Sequence, residues 1–361
     1  MILKEIEIYS LEFGIFSMAD IRDRKKDHVD LTLTEGTQYN QSAGFERFHF
    51  IHNALPELDF DDISTEAKLL GRTFSFPLFI SSMTGGYAEA GAVNAVIAEF
   101  CEAENLPFGV GSQRAMLEDE SLASTFSVVR EKAPSAFICS NIGGSQLIGG
   151  LKTNKLSLLI NSIKANAVIV HLNPLQELMQ PEGDRDFKGI LDGIEQLVKD
   201  ADVPVIVKET GAGISEHAAR RLLNIGVEVI DVAGAGGTSW AKVENFRTTN
   251  NMPNHRFDEW GIPTVECIQE LSKLEWECSF EIIASGGIRS AFDLAKSLCL
   301  GAHFSAMAQP VIKSVKNEGY KGLEKLLGEW KQDLKTILLL LGCVSPKDLN
   351  PSHLQEISIE N

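Results

Sequence analysis

A dense group of chemically useful side chains lies in the string HLNPLQELMQPEGDRDF, residues 171–187. It offers an imidazole, two amides and a carboxylate close together, from His171, Asn173, Gln176 and Glu177. Pro174 and Pro181 bar a continuous helix, so the sequence predicts an irregular loop that displays these groups. Mg²⁺ is commonly held by one or two carboxylates together with substrate phosphates, which makes Glu177 a candidate ligand and Glu244 a second one.

Cations that would hold such phosphates occur near the N-terminus, in the cluster Arg24, Lys25, Lys26 and His28. Arg114, beside Gln113, adds a planar fork of donors that matches phosphate oxygens. A basic run is in general a solvated part of the surface. It becomes a candidate clamp here because the chain as a whole is acidic. These residues predict an anionic, phosphorylated substrate.

Two further turns predict a phosphate site of another kind. Ser285-Gly286-Gly287-Ile288-Arg289 follows one apolar run, and residues 305–309 follow the next. In a (β/α)8 barrel, the loops after strands 7 and 8 bind phosphate with backbone N–H groups and a helix N-terminus. Lys208, at the end of an earlier run, would place a cation at the N1/O2 edge of a reduced flavin. A Schiff-base lysine is the alternative interpretation of Lys208.

Eight apolar runs position these groups, each followed by polar or glycine residues and then by a helical pattern. Runs that are apolar throughout are typical of strands buried on both faces of a parallel sheet. They cover residues 77–83, 106–110, 136–141, 167–172, 203–209, 227–234, 280–287 and 302–308. Eight strand–helix repeats predict an α/β fold, the (β/α)8 TIM barrel. The alternative, a doubly wound sheet, would usually carry a G-x-G-x-x-G turn, which this sequence lacks.

We expect three parts along the chain. Residues 1–60 form an N-terminal extension with the cationic clamp, residues 61–318 form the barrel, and residues 319–361 form a C-terminal helical tail. Residues 1–17 precede a second methionine and a polar run, so they are a candidate upstream extension. Residues 236–260 make a long connection between the sixth and seventh runs, which predicts an inserted active-site loop.

Composition excludes several classes of function. The sequence has 33 basic and 50 acidic residues, a net charge of −17, whereas general nucleic-acid binding needs a basic face. Its six cysteines include no C-x-x-C pair, and such scattered cysteines are typical of a reduced compartment. The apolar runs are far shorter than the about 20 residues that cross a membrane, and charges interrupt the N-terminus. We therefore expect a cytoplasmic protein with no membrane or nucleic-acid partner.

Several separate motifs resemble those of the type 2 isopentenyl-diphosphate isomerases, which are FMN-dependent TIM barrels. They are Arg24-Lys25 with His28, SSMTGG, GSQRA, HLNPLQE followed by QPEGDRD, VIVKETGAGIS, GAGGTSWAKVE and ASGGIRSAFDLAK. The resemblance covers roughly residues 20–315, read against the length of a barrel. One departure is the turn Ala308-Gln309, where many relatives carry a basic residue.

This resemblance implies an isomerase of isoprenoid biosynthesis. The reaction would interconvert isopentenyl and dimethylallyl diphosphate by a 1,3-allylic proton shift assisted by reduced FMN. FMN, Mg²⁺ and NADPH would be the cofactors, with NADPH serving to reduce the flavin. The relatives suggest a homo-oligomer, a tetramer or an octamer.

The same resemblance assigns residues to roles. Flavin contacts would come from Ser82, Met83, Thr84, Gly85, Ser112, Asn141, Lys208, Thr238, Gly286, Gly287, Ile288, Ala308 and Gln309. Substrate would be held by Arg24, Lys25, His28, Ser112, Gln113, Arg114, Asn173 and Gln176. The catalytic candidates are Gln176, Glu244 and His171, and the metal ligand is Glu177.

Two other functions compete with this interpretation. A 2-hydroxy-acid oxidase of the flavin barrel type would carry a His base and an Arg after the sixth strand. Residues 234–239 read GAGGTS there, and His255-Arg256 come only later. A non-catalytic flavin-binding scaffold would have no need of so many polar strand ends.

Overall fold

A computed structural model of the chain describes residues 18–247 and 254–357, with side chains from residue 25 onward. The strands are β1 (Phe48–Phe50), β2 (Ala67–Leu69), β3 (Arg72–Phe74), β4 (Leu78–Ile80), β5 (Phe108–Gly109), β6 (Ile138–Gly143), β7 (Ala167–Leu172), β8 (Val205–Glu209), β9 (Val229–Asp231), β10 (Glu281–Ala284), β11 (Phe304–Met307) and β12 (Leu354–Glu356). Strands β4 to β11 are parallel and close into a barrel in sequential order. The predicted (β/α)8 barrel is confirmed, and each predicted run overlaps one of its strands.

Helices alternate with these strands and surround the barrel. They are α1 (Met18–Thr32), α2 (Ala88–Glu104), α3 (Arg114–Glu118), α4 (Ser124–Lys132), α5 (Thr153–Asn161), α6 (Pro174–Met179), α7 (Ile190–Asp200), α8 (Glu216–Leu223), α9 (Trp240–Arg247), α10 (Thr264–Ser272), α11 (Ala291–Cys299), α12 (Gln309–Glu318) and α13 (Tyr320–Leu341). In the described part of the chain, no helix combines the length and the apolar character that a bilayer crossing requires.

The interior of the barrel is a packed apolar layer. Side chains alternate between the two faces of a strand, so every second residue points inward. The inward residues are almost entirely buried: Phe79, Cys139, Ile169, Ile206, Val229, Ile283 and Phe304. The hairpin β2–β3 covers the N-terminal end of the barrel with Leu69 and Phe74, and Phe74 contacts Phe304 edge to face at 5.7 Å. Among the described residues, the hairpin closes this end, so the opposite end, where the strands finish, is the one that can receive ligands.

The segments before and after the barrel pair with each other. Strand β1 runs antiparallel to β12, with Phe48 opposite Glu356. Arg47 reinforces this pairing through an ion pair with Glu356 at 2.5 Å. The tail was expected to be helical, and α13 agrees, but its end is a strand. Sequence patterns could not reveal this strand because its partner lies at the other end of the chain.

Candidate active site

A ring of polar side chains forms the floor of the site. The position two residues beyond each inward apolar residue also faces the interior. Six of these seven positions carry Ser81, Asn141, His171, Lys208, Asp231 and Ser285, and the seventh carries Ala306. The polar ring lies directly on the apolar layer, at the C-terminal ends of the strands. This is the face where barrel enzymes carry their active sites.

Lys208 lies within this ring. Strand pairing puts His171 on one side of it and Asp231 on the other. Its Nζ donates to the carbonyl oxygen of Glu209. Burial raises the pKa of the Asp231 carboxyl, an effect that the Lys208 cation and the hydroxyl of Ser285 oppose. The floor therefore offers one buried cation flanked by groups that hold it in place.

Backbone geometry shapes one wall of the cavity. Gly286 and Gly287 have φ values of +96° and +80°, a left-handed conformation that glycine adopts without cost. A β-carbon on Gly286 would lie 2.0 Å from the carbonyl oxygen of Gly234. The turn after β10 therefore packs tightly against the turn after β9, and helix α12 begins beside both of them. Backbone N–H groups and a helix N-terminus could bind an anion at this wall.

These turns border a first cleft with about 960 Å³ of empty space, mouth included. The cleft is lined by Ser82, Met83, Lys208, Thr238, Gly286, Gly287, Ile288, Ala308 and Gln309. The hydroxyl Oγ of Ser82 is buried and has no hydrogen-bond partner in the described part of the chain. Since buried polar atoms are rarely left unpaired, this hydroxyl is a place for a ligand to bind.

A second cleft adjoins the first at Ser82, Met83 and Lys208. It is lined by Lys25, His28, Thr84, Gly85, Ser112, Arg114, Asn141, His171, Asn173, Gln176, Glu177, Gln180 and Trp240. Cations and amides line one part of it, and the polar floor closes the other. Two adjoining clefts can hold a cofactor and a substrate in contact.

Gln176 links the second cleft to a buried carboxylate. Its Nε2 donates to Glu244 Oε1 at 3.1 Å, and Gln180 donates to the same oxygen at 2.8 Å. His28 Nε2 lies 2.8 Å from this oxygen as well. Burial raises the pKa of Glu244, but contacts with His28, Arg247 and Gln176 outweigh this effect and lower it to about 2. Glu244 is therefore ionised at any working pH.

His171 is held as a neutral imidazole. Its Nδ1 lies 2.7 Å from Asn141 Oδ1, within hydrogen-bond reach. Burial lowers the pKa of His171 to about 3, and the nearby Lys208 cation acts in the same direction. A neutral ring can orient a substrate or a neighbouring amide, whereas it does not act as a cation near neutral pH.

Comparisons with known proteins identify the family. The family model described as FMN-dependent dehydrogenase matches residues 167–356. A relative named isopentenyl-diphosphate delta-isomerase from Chlorobium limicola is 45% identical over 92% of this chain and 95% of its own length. The chain belongs to the isopentenyl-diphosphate delta-isomerases, within the FMN-dependent dehydrogenase family. A relative of the same name from Rickettsia canadensis is 39% identical over 92% of this chain and 97% of its own.

Solved structures agree on the fold. A flavocytochrome b2 variant with sulfite bound has a TM-score of 0.67 and 18% identity over 96% of this chain and 90% of that one. An (S)-mandelate dehydrogenase has a TM-score of 0.64 and 14% identity over 95% of this chain and all of that one. At these identities, the similarity establishes the barrel alone.

The site fits the FMN on which this family depends. Nine of the thirteen positions predicted to contact flavin line the first cleft, and the other four, Thr84, Gly85, Ser112 and Asn141, line the adjoining second cleft. The wall at Gly286 and Gly287 suits a terminal phosphate, and Lys208 lies further in, on the floor. The orphaned hydroxyl of Ser82 lies between them. Ala308-Gln309, the departure from the isomerase pattern, still borders the first cleft through the start of α12.

Most residues predicted to hold substrate line the second cleft, which the isomerase would use for the diphosphate. Lys25 Nζ donates to the carbonyl oxygens of Gly85 at 2.8 Å and Ser112 at 3.0 Å. These bonds tie α1 to the loops after β4 and β5, so α1 covers part of the mouth. The side chain of Arg24 lies outside the described residues, and the same holds for the predicted extension at residues 1–17.

The structure does not bring Gln113 to the predicted substrate site. Its side chain is fully buried and lies outside both clefts. Nε2 donates to Leu159 O at 3.3 Å, and Oε1 accepts from the backbone N–H of Asn141 at 3.1 Å. The resemblance implies this role through the motif GSQRA, but neighbouring residues at a helix start point in different directions. Gln113 supports the strand that presents Asn141.

Replacing Gln113 by alanine is expected to destabilise the fold without weakening substrate binding. The change leaves the buried N–H of Asn141 unpaired, which costs about 1–3 kcal/mol. Chemical denaturation measures this loss, and the KM of the isomerase should stay within about threefold of wild type. Gln332→Ala, at an exposed position on α13, is the control and should change stability by less than about 0.5 kcal/mol. A large rise in KM for Gln113→Ala would restore the original interpretation.

Two local predictions also need correction. Residues 174–179 form the short helix α6 rather than an irregular loop, because Pro174 occupies the first turn, where its missing N–H costs nothing. Glu244 was placed in a loop, but it lies on α9, fully buried behind Gln176 and outside the lining of either cleft. It contacts three residues that line the second cleft, His28, Gln176 and Gln180.

Several residues of the site were not found from the sequence. Trp240 lines both clefts, and its ring contacts that of His28 edge to face at 5.2 Å. Gln180 and Arg247 bind Glu244. Trp240 and Gln180 lie within motifs that also carry predicted site residues. Their closeness in sequence to those residues was the signal that could have revealed them. Arg247 carried no such signal, because its contacts depend on how α9 packs.

Proposed function

We propose that the chain interconverts isopentenyl diphosphate and dimethylallyl diphosphate by a 1,3-allylic proton shift on reduced FMN. The observation that carries this proposal is the 45% identity to a named isomerase over 92% of the chain. The site supports it: the stretch 234–239 after β9 has neither the His nor the Arg that a 2-hydroxy-acid oxidase requires. When bound, reduced FMN supplies an electron-rich face and a proton at N5.

The residues of the second cleft would bind and orient the substrate. Lys25, His28 and Arg114 border the region where the diphosphate would lie. Binding at this non-reacting end places the alkene over the floor, so binding energy is used for positioning. Gln176 would face the reacting carbons, with its amide held by Glu244 at 3.1 Å. His171 and Asn173 would shape the pocket around it, and Trp240 would exclude water.

Glu177 is the proposed magnesium ligand. Its Oε1 accepts from Asn173 Nδ2 at 2.9 Å, and its Oε2 accepts from the backbone N–H of Asp184 at 2.8 Å. No group of three or more His, Cys, Asp or Glu side chains that could hold a metal ion occurs among the described residues. A site made of one carboxylate and substrate phosphates is the usual arrangement for Mg²⁺. The carboxylate is held in place, while the remaining ligands would arrive with the substrate.

Replacing Glu177 by glutamine is expected to raise the Mg²⁺ concentration for half-maximal activity by at least about tenfold. Glutamine keeps the size and can accept one of the two hydrogen bonds, from Asn173 or from Asp184, with its single oxygen, but it loses the other bond and the charge that binds the cation. Titration of activity with Mg²⁺ measures the change. Glu195→Gln, which removes a surface carboxylate paired with Lys199, is the matched control. An unchanged Mg²⁺ requirement in Glu177→Gln would exclude this residue as the ligand.

The proposed function is tested by incubating the protein with isopentenyl diphosphate, FMN, Mg²⁺ and NADPH without oxygen. Dimethylallyl diphosphate should form, and omission of flavin, reductant or metal should each abolish or strongly reduce turnover. The same assay with NADH defines the nucleotide preference, and light scattering of the active protein defines its oligomeric state. Bound, reduced flavin without any isomerisation would refute the proposal and favour the scaffold interpretation.

A further inference from the structure

Arg247 connects the two acidic groups behind the substrate cleft. It lies on α9, and its Nη1 lies 2.5 Å from Glu244 Oε2 while its Nη2 lies 2.9 Å from Glu182 Oε1. The side chains of Arg247 and Glu182 are 15% and 16% exposed, and that of Glu244 is fully buried. Glu182 belongs to the string that follows α6. The guanidinium therefore links α9 to the loop after α6, which also carries Gln180.

The charge on Glu244 determines how Gln176 is oriented. An ionised carboxylate only accepts hydrogen bonds, so the amide NH₂ of Gln176 must face it. The carbonyl Oε1 of Gln176 then points to the other side, where Asn173 Nδ2 donates to it at 3.2 Å. A protonated Glu244 would be able to donate, and the Gln176 amide could turn over. Whether Glu244 is ionised therefore decides which end of the Gln176 amide faces the cleft.

We propose that Arg247 is a positioning residue that keeps Glu244 ionised and thereby fixes the amide orientation of Gln176 towards the substrate. The inference rests on the proposed function, since it assigns Gln176 to the reaction. Arginine suits this place because its planar fork pairs with two carboxylates at once, whereas a lysine ammonium is a single point charge. Nothing in this arrangement requires Arg247 to contact the substrate.

Loss of Arg247 should change the pH dependence in a defined direction. Among the residues whose side chains the structure describes, the polar and charged groups that face Glu244 include His28 from α1, Gln176 and Gln180 on and after α6, and Arg247 on α9. Without the guanidinium, burial is less opposed and the pKa of Glu244 rises from about 2. Glu244 would then take up a proton as the pH falls through the new value. Activity should be lost on the acid side, in a range where the wild type keeps it.

Steady-state kinetics of Arg247→Gln and Arg247→Lys across pH test the inference. For Arg247→Gln, we expect kcat at neutral pH to fall about tenfold to hundredfold, with KM changed by less than about threefold. The plot of kcat against pH should show an acid limb, a loss of kcat at low pH, that the wild type lacks. Arg247→Lys keeps the charge and should recover part of kcat and remove most of the acid limb. Arg220→Gln, which breaks a surface pairing with Glu277 and Glu216, is the matched control and should behave as wild type.

The double variant separates positioning from a purely structural role. Because Arg247 acts through Glu244, the combination of Arg247→Gln with Glu244→Gln should be no slower than Glu244→Gln alone. If the double variant lost kcat by the product of the two single effects, the inference would be overturned. An equal loss of kcat at every pH in Arg247→Gln would overturn it as well. Melting temperature and FMN affinity, measured in parallel, should stay near the wild-type values in Arg247→Lys.

An infrared titration tests the ionisation without any turnover. The carboxylic C=O stretch of protonated Glu244 should appear at higher pH in Arg247→Gln than in wild type, and Glu244→Gln identifies the band by removing it. If the wild type fails to isomerise the substrate, the proposed function fails, while the infrared result still decides whether Arg247 controls Glu244. An unshifted band would overturn the inference even in an active isomerase.

Discussion

Replacing Gln176 by alanine is expected to lower kcat by about 10² to 10⁴ while FMN binding stays unchanged, the range in which a positioned proton-transfer group contributes. Gln176 is buried, lines the second cleft and is held by Glu244 on one side and Asn173 on the other. The amide has no useful pKa, so it would act by orienting the substrate or relaying a proton. Its removal also leaves Glu244 without one of its donors.

Two measurements check this prediction. Single-turnover kinetics separate chemistry from product release, and flavin fluorescence measures the affinity for FMN. Gln196→Ala, at an exposed position on α7, is the control and should leave both unchanged. If Gln176→Ala turns over at nearly the wild-type rate, the reacting carbons do not lie at the second cleft.

Replacing Gly286 by alanine is expected to weaken FMN binding at least about hundredfold, equivalent to ~2.7 kcal/mol. The added β-carbon would lie 2.0 Å from the carbonyl oxygen of Gly234, so one of the two turns must move. The positive φ of +96° adds strain for any residue with a side chain. Backbone N–H groups that bind phosphate lose affinity when they shift, because their directions are set by the turn.

Gly319→Ala is a matched control for Gly286→Ala. Gly319 also has a positive φ, +62°, but nothing lies within 4 Å of the position of an added β-carbon. Gly319→Ala should lower the free energy of unfolding by about 1 kcal/mol and leave FMN affinity unchanged. Should Gly286→Ala fail to fold, Ser82→Ala tests the same cleft, since it only removes the unpaired hydroxyl. Wild-type FMN affinity in both variants would place the flavin elsewhere.

The barrel and the location of its site were predictable from the sequence. Eight buried strands need apolar residues on both faces, and this requirement leaves continuous runs that can be read without a structure. Polar residues interrupt each run at the same end because parallel strands all finish at the same face. The glycines of the turn at 286–287 were informative because few other residues tolerate a positive φ.

The directions of individual side chains were decided only by the tertiary structure. Gln113 and Arg114 are neighbours in sequence, yet Gln113 points into the protein and Arg114 lines the second cleft. Glu244 and Gln176 are 68 positions apart, and only the packing of α6 against α9 brings them within 3.1 Å. Sequence determined which residue types reach the mouth of the barrel. Long-range packing decided which of them face the ligand and which, like Glu244 and Arg247, act from behind it.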